Sequence, residues 1–383
     1  QGFGPDINDV WRQRKQGTVT FRQILFDGFD RANDLYRSQA RISASSHKIM
    51  VRSESVALDV VESYIDVVRH RDLLVLATRN VDRHVQLLNI IRERFDGGRA
   101  SIGDVQQTEE RLDGARALVA EIAVAYGTAR ARFKAAVGEE PGELKQVAYA
   151  KDIPGTMGDV IAIALSKNPR LKAANAEIEM AGFDKEQFKS TLYPTIALEG
   201  LAKHGENLDG TPGPDEELMG IVTLNWKVFD GNVRRNRVNE LSEREAEKVA
   251  EQRMLVREIE EQVGINWARL TEGRKQVAAI TKQVERNEQL IKTYLDEYNA
   301  GRRNLLDLLD AENTHFLGQF DLSNTNSLYK FSSYQLLGNM GTLLEYFGVT
   351  PPAGADDFLD EPNVIGSSSS NSAFSIPPLR DAE

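Results

Sequence analysis

Ile221-Val222-Thr223-Leu224-Asn225-Trp226-Lys227-Val228-Phe229-Asp230-Gly231 alternates apolar and polar side chains and then stops on a turn. Val222, Leu224, Trp226 and Val228 share one face. Thr223, Asn225 and Lys227 share the other, a period of two that predicts a β-strand. From Asn232 to Ala300 there is no proline, and Gly264 and Gly273 are the only glycines. The same succession occurs earlier in the chain. Val19-Thr20 meets Val222-Thr223 (222 − 19 = 203), and Phe26-Asp27-Gly28 meets Phe229-Asp230-Gly231. The register then holds without a gap to Gly138, which meets Gly341. A period this long is a duplicated supersecondary unit, since solenoid repeats run to about 20–50 residues.

The segments after each Asp-Gly carry a heptad pattern. Val60, Val67, Leu74, Val81, Leu88 and Phe95 recur every seven residues, as do Val249, Val256, Val263, Leu270, Val277, Val284, Ile291 and Tyr298. About 67 helical residues would extend roughly 100 Å. A strict seven-residue seam requires left-handed supercoiling. Shorter segments repeat the signal, with Val105, Leu112, Val119, Tyr126 and Phe133 in one copy and Leu308, His315, Leu322, Tyr329 and Leu336 in the other. Phe95-Asp96-Gly97-Gly98-Arg99-Ala100-Ser101-Ile102-Gly103-Asp104 and Tyr298-Asn299-Ala300-Gly301-Arg302-Arg303-Asn304-Leu305-Leu306-Asp307 separate the helices. Glycine closes one helix and a polar residue starts the next, so each half reads as an antiparallel hairpin with a blunt tip.

Val19, Phe21, Gln23 and Leu25 hold the matching strand face in the first copy. Thr195 to Ala202 reads as a further strand, and Met157 to Lys189 as a helix before it. His204 to Glu217 reads as a Gly/Pro/Asp-rich loop. The copies of that helix and strand in the first half would precede Gln1. The fold class expected is mainly α with a small β part, in two tandem repeats of strand, long helix, tip turn and helix. Residues 1–138 form the first repeat, with its tip near 96–104, and 139–158 a connector. Residues 159–349 form the second, with strands near 193–203 and 218–229 and a tip near 299–307. Residues 350–383 are rich in Pro, Ser, Asp and Gly and read as an extended or disordered tail.

Composition excludes several classes. The 383 residues hold 47 basic and 58 acidic side chains, a net charge of −11 that argues against a nucleic-acid partner. There is no cysteine, hence no disulfide, thiolate metal site or cysteine nucleophile. His47, His70, His84, His204 and His315 are scattered without metal-ligand spacing, and no phosphate-binding glycine loop is present. No metal site, cofactor or catalytic residue is therefore expected. No apolar run is long enough for a transmembrane helix, but a transmembrane strand needs only about 9–11 alternating residues. Three or four strands are too few to close a barrel, and open edges cannot stand in lipid. The apolar strand face is either packed on a soluble core or completed by other subunits.

Together with Ala164-Leu165-Ser166-Lys167-Asn168-Pro169-Arg170-Leu171, Tyr193-Pro194, the two Phe-Asp-Gly turns and the run from Tyr298 to Asn313, the duplication resembles the TolC family of outer-membrane export ducts over about Thr18 to Tyr346. The resemblance implies a homotrimer: a trimeric α-helical barrel crossing the periplasm, capped by a twelve-stranded transmembrane β-barrel. Val19, Phe21, Leu25, Val222, Leu224, Trp226 and Val228 would face outer-membrane lipid. The tips Gly98, Arg99, Gly301 and Arg302 would dock a periplasmic adaptor protein, linked to an inner-membrane ABC or proton-driven transporter. The run from Leu305 to Asn313 looks closer to the type I protein-secretion branch than to multidrug efflux.

Asp307 and Asp310 stand three apart at a helix start, on one face. By family likeness that face lines a constricted tunnel mouth, where six carboxylates from three chains would favour cations. The competing account is plain helix-dipole compensation. The resemblance also implies tip links of Tyr298 with Asp104 and of Arg303 with the region of Gly103. Gln107 stands opposite Asp310 in the repeat. Two other classes stay open on residues alone: a periplasmic coiled-coil adaptor or scaffold, and an enzyme with an acidic site at Asp307 and Asp310.

Overall fold

The computed structural model describes residues 13–208 and 213–355. The expected tail lies outside the described residues from 356 onward. Along the chain run strand β1 (Lys15–Phe26), helices α1 (Asp30–Asp96), α2 (Ile102–Val137), α3 (Met157–Lys167) and α4 (Pro169–Lys189), strands β2 (Thr195–Glu206) and β3 (Pro214–Asn225), and helices α5 (Val233–Asn299), α6 (Leu305–Met340) and α7 (Leu343–Phe347). Helices α1 and α5 have 67 residues each, and α2 and α6 have 36 each. The chain is mostly helical with few strands. No described helix is long and apolar enough to cross a membrane. Two compact units result, residues 1–45 with 173–253 and residues 46–172 with 254–383.

The first unit holds an antiparallel sheet in the order β1-β2-β3. Its register sets Val19 beside Ala202 and Leu218, Phe21 beside Gly200 and Gly220, and Gln23 beside Leu198 and Val222. Phe26, Ile196 and Leu224 continue the row. On this face Val19, Phe21, Leu218, Val222 and Leu224 are each more than half exposed. The opposite face carries charge: Arg22 pairs with Glu199 at 3.3 Å, and Lys203 with Asp215 at 3.4 Å.

Three readings of the strands need correction. Strand β3 ends at Asn225, so Trp226 and Val228 lie beyond it. The register shifts between Ile24 and Phe26, which takes Leu25 out of the regular alternation. Strands β2 and β3 also run into the supposed loop, leaving it much shorter than His204 to Glu217.

Beyond the strands, the two Phe-Asp-Gly turns are built alike. Gly28 and Gly231 adopt φ of 67° and 68°, followed by Phe29 and Asn232 at 69° and 67°. Asp27 accepts from Arg31 Nε and Asp230 from Arg234 Nε, both at 2.6 Å. The aspartate thus meets the first turn of the helix it introduces, where acidic charge is favoured. Behind the turn, Arg37 Nη1 reaches Asp184 at 3.0 Å and Lys185 reaches Glu245 at 2.6 Å, anchoring α4 beside α1 and α5.

The single helix expected from Met157 to Lys189 is two. Asn168 takes ψ of 120°, an extended angle imposed by the following Pro169, which also has no N–H to donate. Asn168 uses the break: its Nδ2 donates to the Asn339 carbonyl at 2.8 Å, and its Oδ1 accepts from Arg170 N. Around it Val160, Ala164, Ile259, Val263, Leu336, Leu337, Met340 and Leu343 form a buried core. Residues between α2 and α3 are tied down by polar bonds, with Ala150 N donating to Ser333 Oγ and Tyr334 OH to the Ala148 carbonyl, both at 2.9 Å. Glu54 on α1 is buried and accepts from Leu343 N and Leu344 N at the start of α7.

Candidate functional site

Both hairpin tips lie in the second unit. At the first, Arg99 N donates to the Arg94 carbonyl at 2.7 Å around Gly98, whose φ is 69°. At the second, Arg302 N donates to the Glu297 carbonyl at 2.9 Å around Gly301, φ 73°. These left-handed glycines satisfy carbonyls that the helix end would leave unpaired. Ser101 caps α2 reciprocally with Asp104: Asp104 N donates to Ser101 Oγ, and Ser101 N to Asp104 Oδ2. Asn304 caps α6 by accepting from Asp307 N at 2.8 Å. Arg99 and Arg302 are both exposed.

The two hairpins share one core near the tips. Leu87, Leu88 and Ile91 of α1 and Val105 and Leu112 of α2 pack with Ile291 and Tyr298 of α5 and Leu305, Leu308 and Leu309 of α6. The heptad seams therefore bury residues of both copies against each other. Arg83 Nε donates to Glu312 Oε1 at 2.6 Å, a contact of α1 with α6 in which the Glu312 side chain is only 6% exposed.

Asp307 and Asp310 leave α6 close to two arginines. Arg303 Nη1 lies 3.4 Å from Asp307 and donates more closely to Glu297, at 2.9 and 2.7 Å. Its guanidinium also covers the Tyr294 ring at 4.0 Å. Arg111 Nη2 stands 3.7 Å from Asp310 Oδ1. Tyr298 is buried under Arg94, whose Nη1 donates to the Tyr298 carbonyl at 3.2 Å. Burial pushes the Tyr298 phenol pKa up. Arg94 opposes the shift, and the nearby Asp104 charge adds to it.

Within one chain, then, Arg303 is engaged by Glu297 and Asp307, and Asp104 by its own helix start. Sequence reading overlooked Arg94, Arg111 and Leu218. Leu218 continues the i, i+2 alternation with Val222 and Leu224, and Gly220 hides it. The two arginines sit outside the heptad seams, and nothing local marks their partners. Among the described residues no group of three or more His, Asp or Glu is placed to hold a metal ion.

A profile of the outer membrane efflux protein family matches residues 6–139 and 160–342. The chain is 24% identical over 333 residues to the outer membrane efflux protein BepC of Brucella suis, covering 86% of this chain and 73% of that protein. It is 21% identical over 346 residues to the alkaline protease secretion protein AprF of Pseudomonas aeruginosa, covering 88% and 70%. Among solved structures, the outer membrane protein VceC of Vibrio cholerae superposes with a TM-score of 0.72 at 14% identity, over 86% of this chain and 87% of that one. At that identity the likeness is one of fold.

Proposed function

The chain belongs to the outer membrane efflux protein family, and we propose that three copies of it form a passive duct for protein export. Family membership makes it an outer-membrane channel of a Gram-negative bacterium with its helical part in the periplasm, a conduit and not an enzyme. The adaptor and acidic-enzyme readings fall with that.

The carrying observation is the sheet. Among the described residues its edge strands β1 and β3 have no partner on their outer sides, and one face exposes Val19, Phe21, Leu218, Val222 and Leu224. Lipid tolerates such a face and forbids such edges. Closure by neighbouring copies resolves both. Twelve strands would need a fourth strand per chain from outside the described residues. Phe29, Tyr193, Trp226 and Phe229 are exposed where the strands give way to helices. They fit an aromatic girdle at the membrane boundary, a better role for Trp226 than the strand face.

The hairpin tips Gly98-Arg99 and Gly301-Arg302 dock a periplasmic adaptor, which couples the duct to an inner-membrane transporter. Asp307 and Asp310 line the mouth, with Asp104, Tyr298 and Arg303 as tip links. Protein secretion is favoured by the relationship to AprF, an alkaline protease secretion protein, and the type I branch by the run from Leu305 to Asn313. The second reading, the outer-membrane part of a multidrug efflux pump, draws on the relationship to BepC, an outer membrane efflux protein. Deleting the gene separates them: loss of one secreted protein supports secretion, whereas gained drug sensitivity with an intact secretome supports efflux. A monomer in detergent would overturn the duct itself.

A further inference from the structure

We infer that Arg111 is the built-in counter-ion of Asp310 and thereby sets how strongly the channel mouth holds cations. The inference rests on the reading of Asp307 and Asp310 as that mouth. Arg111 belongs to the first hairpin and Asp310 to the second, with Nη2 3.7 Å from Oδ1. The Arg111 Nε is buried and has no acceptor, so the side chain is held by its surroundings more than by hydrogen bonds. Glu110, 3.7 Å away, is the other carboxylate beside Arg111 and is largely exposed. His84 on α1 adds no positive charge nearby. Burial first, then the charges of Arg111 and Arg83, hold its pKa below the usual histidine value.

The two mouth carboxylates are not compensated alike. The arginine beside Asp307, Arg303, stands at 3.4 Å but belongs to the same hairpin and gives its two closest bonds to Glu297. The duplication sharpens the contrast. The counterpart of Asp310 in the first hairpin is Gln107, and the counterpart of Arg111 in the second is Thr314. Thus the acid occurs only in one hairpin and the base that meets it only in the other. To a cation in the mouth, a carboxylate paired at this distance presents a dipole more than a charge. In salt with a screening length of about 10 Å, such a dipole contributes little. The pair is partly exposed, 37% for the Arg111 side chain and 60% for Asp310, so its attraction adds little stability and replacing Arg111 should leave the chain folded.

The test is conductance of the full-length channel in planar bilayers, titrated with hexaamminecobalt(III) from the tip side. Arg111→Gln should tighten the block about three- to tenfold, more at low salt, while Arg111→Lys should stay near the unmodified channel. Asp310→Asn should weaken the block by less than about threefold alone but by about tenfold in the Arg111→Gln background. An equal response to Asp310→Asn in both backgrounds overturns the role of Arg111 and leaves the mouth standing. A block untouched by Asp307→Asn and Asp310→Asn together overturns both.

Discussion

Arg94 of the first hairpin lies over Tyr298 of the second, its guanidinium carbon 4.4 Å from the ring centre and its Nη1 bonded to the Tyr298 carbonyl. One side chain thus clamps the C-terminal end of α5 by ring face and backbone together. Tyr298→Ala should destabilise the channel by about 3 kcal/mol, as expected for emptying a buried aromatic site. Tyr298→Phe keeps the ring and should cost less than about 1 kcal/mol. Denaturant midpoints of the two variants check this. Equal losses would mean that the hydroxyl, not the ring, matters.

Glu54 makes stability depend on pH. Burial raises its pKa to about 7 from 4.5. The Leu344 and Leu343 N–H groups pull it down, and the Glu345 charge adds to the rise. Between those values the folded chain keeps a proton that the unfolded chain releases. Stability from this group is therefore fully present below pH 4.5 and is lost as pH rises through 7. Melting curves from pH 5 to 8 should fall more steeply for the unmodified protein than for Glu54→Gln. Parallel curves would refute the assignment.

Glycines with the same positive φ should respond differently according to the space around them. A Cβ at Gly98 meets nothing within 4 Å, so Gly98→Ala should cost about 1 kcal/mol from its left-handed backbone alone. A Cβ at Gly341 would stand 2.7 Å from Pro169 Cδ and 3.1 Å from the Lys167 carbonyl oxygen. Gly341→Ala should therefore cost well over twice as much. Side-by-side melts of the two variants measure the difference.

Arg83→Ala would leave the buried Glu312 carboxylate without its cation and should destabilise by about 3 kcal/mol. Arg83→Met with Glu312→Leu should recover most of that loss. A double variant as unstable as the single one would show that packing, not charge, is at stake.

On the sheet, Val222→Arg should impair membrane assembly, since an arginine on a lipid-facing strand costs about 2–4 kcal/mol at mid-bilayer. Thr223→Arg, on the face that already carries Arg22 and Lys203, should assemble normally. Heat-resistant oligomer on gels and outer-membrane fractionation read the outcome.

The mainly helical character was legible in the chain alone, because apolar spacing is a local property. The heptads from Val60 to Phe95 and from Val249 to Tyr298 lie within α1 and α5. Boundaries were less legible where geometry competes with pattern. Trp226 and Val228 keep the alternation but fall beyond β3, because β2 begins at Thr195, opposite Asn225, and offers no partner past it. Pro169 was visible, and its effect on the backbone of Asn168 is the local cause of the break between α3 and α4.

The site divides the same way. Gly98, Gly301 and the caps at Ser101 and Asn304 follow from residue type and neighbours, so local chemistry along the chain was enough to specify the two tips and the helices they join. Which partner each arginine meets was decided only in three dimensions. Arg83 with Glu312, Arg94 with Tyr298 and Arg111 with Asp310 each join groups about two hundred residues apart in the chain. A salt bridge needs a few ångströms of separation. Only the packing of one hairpin on the other brings those groups that close.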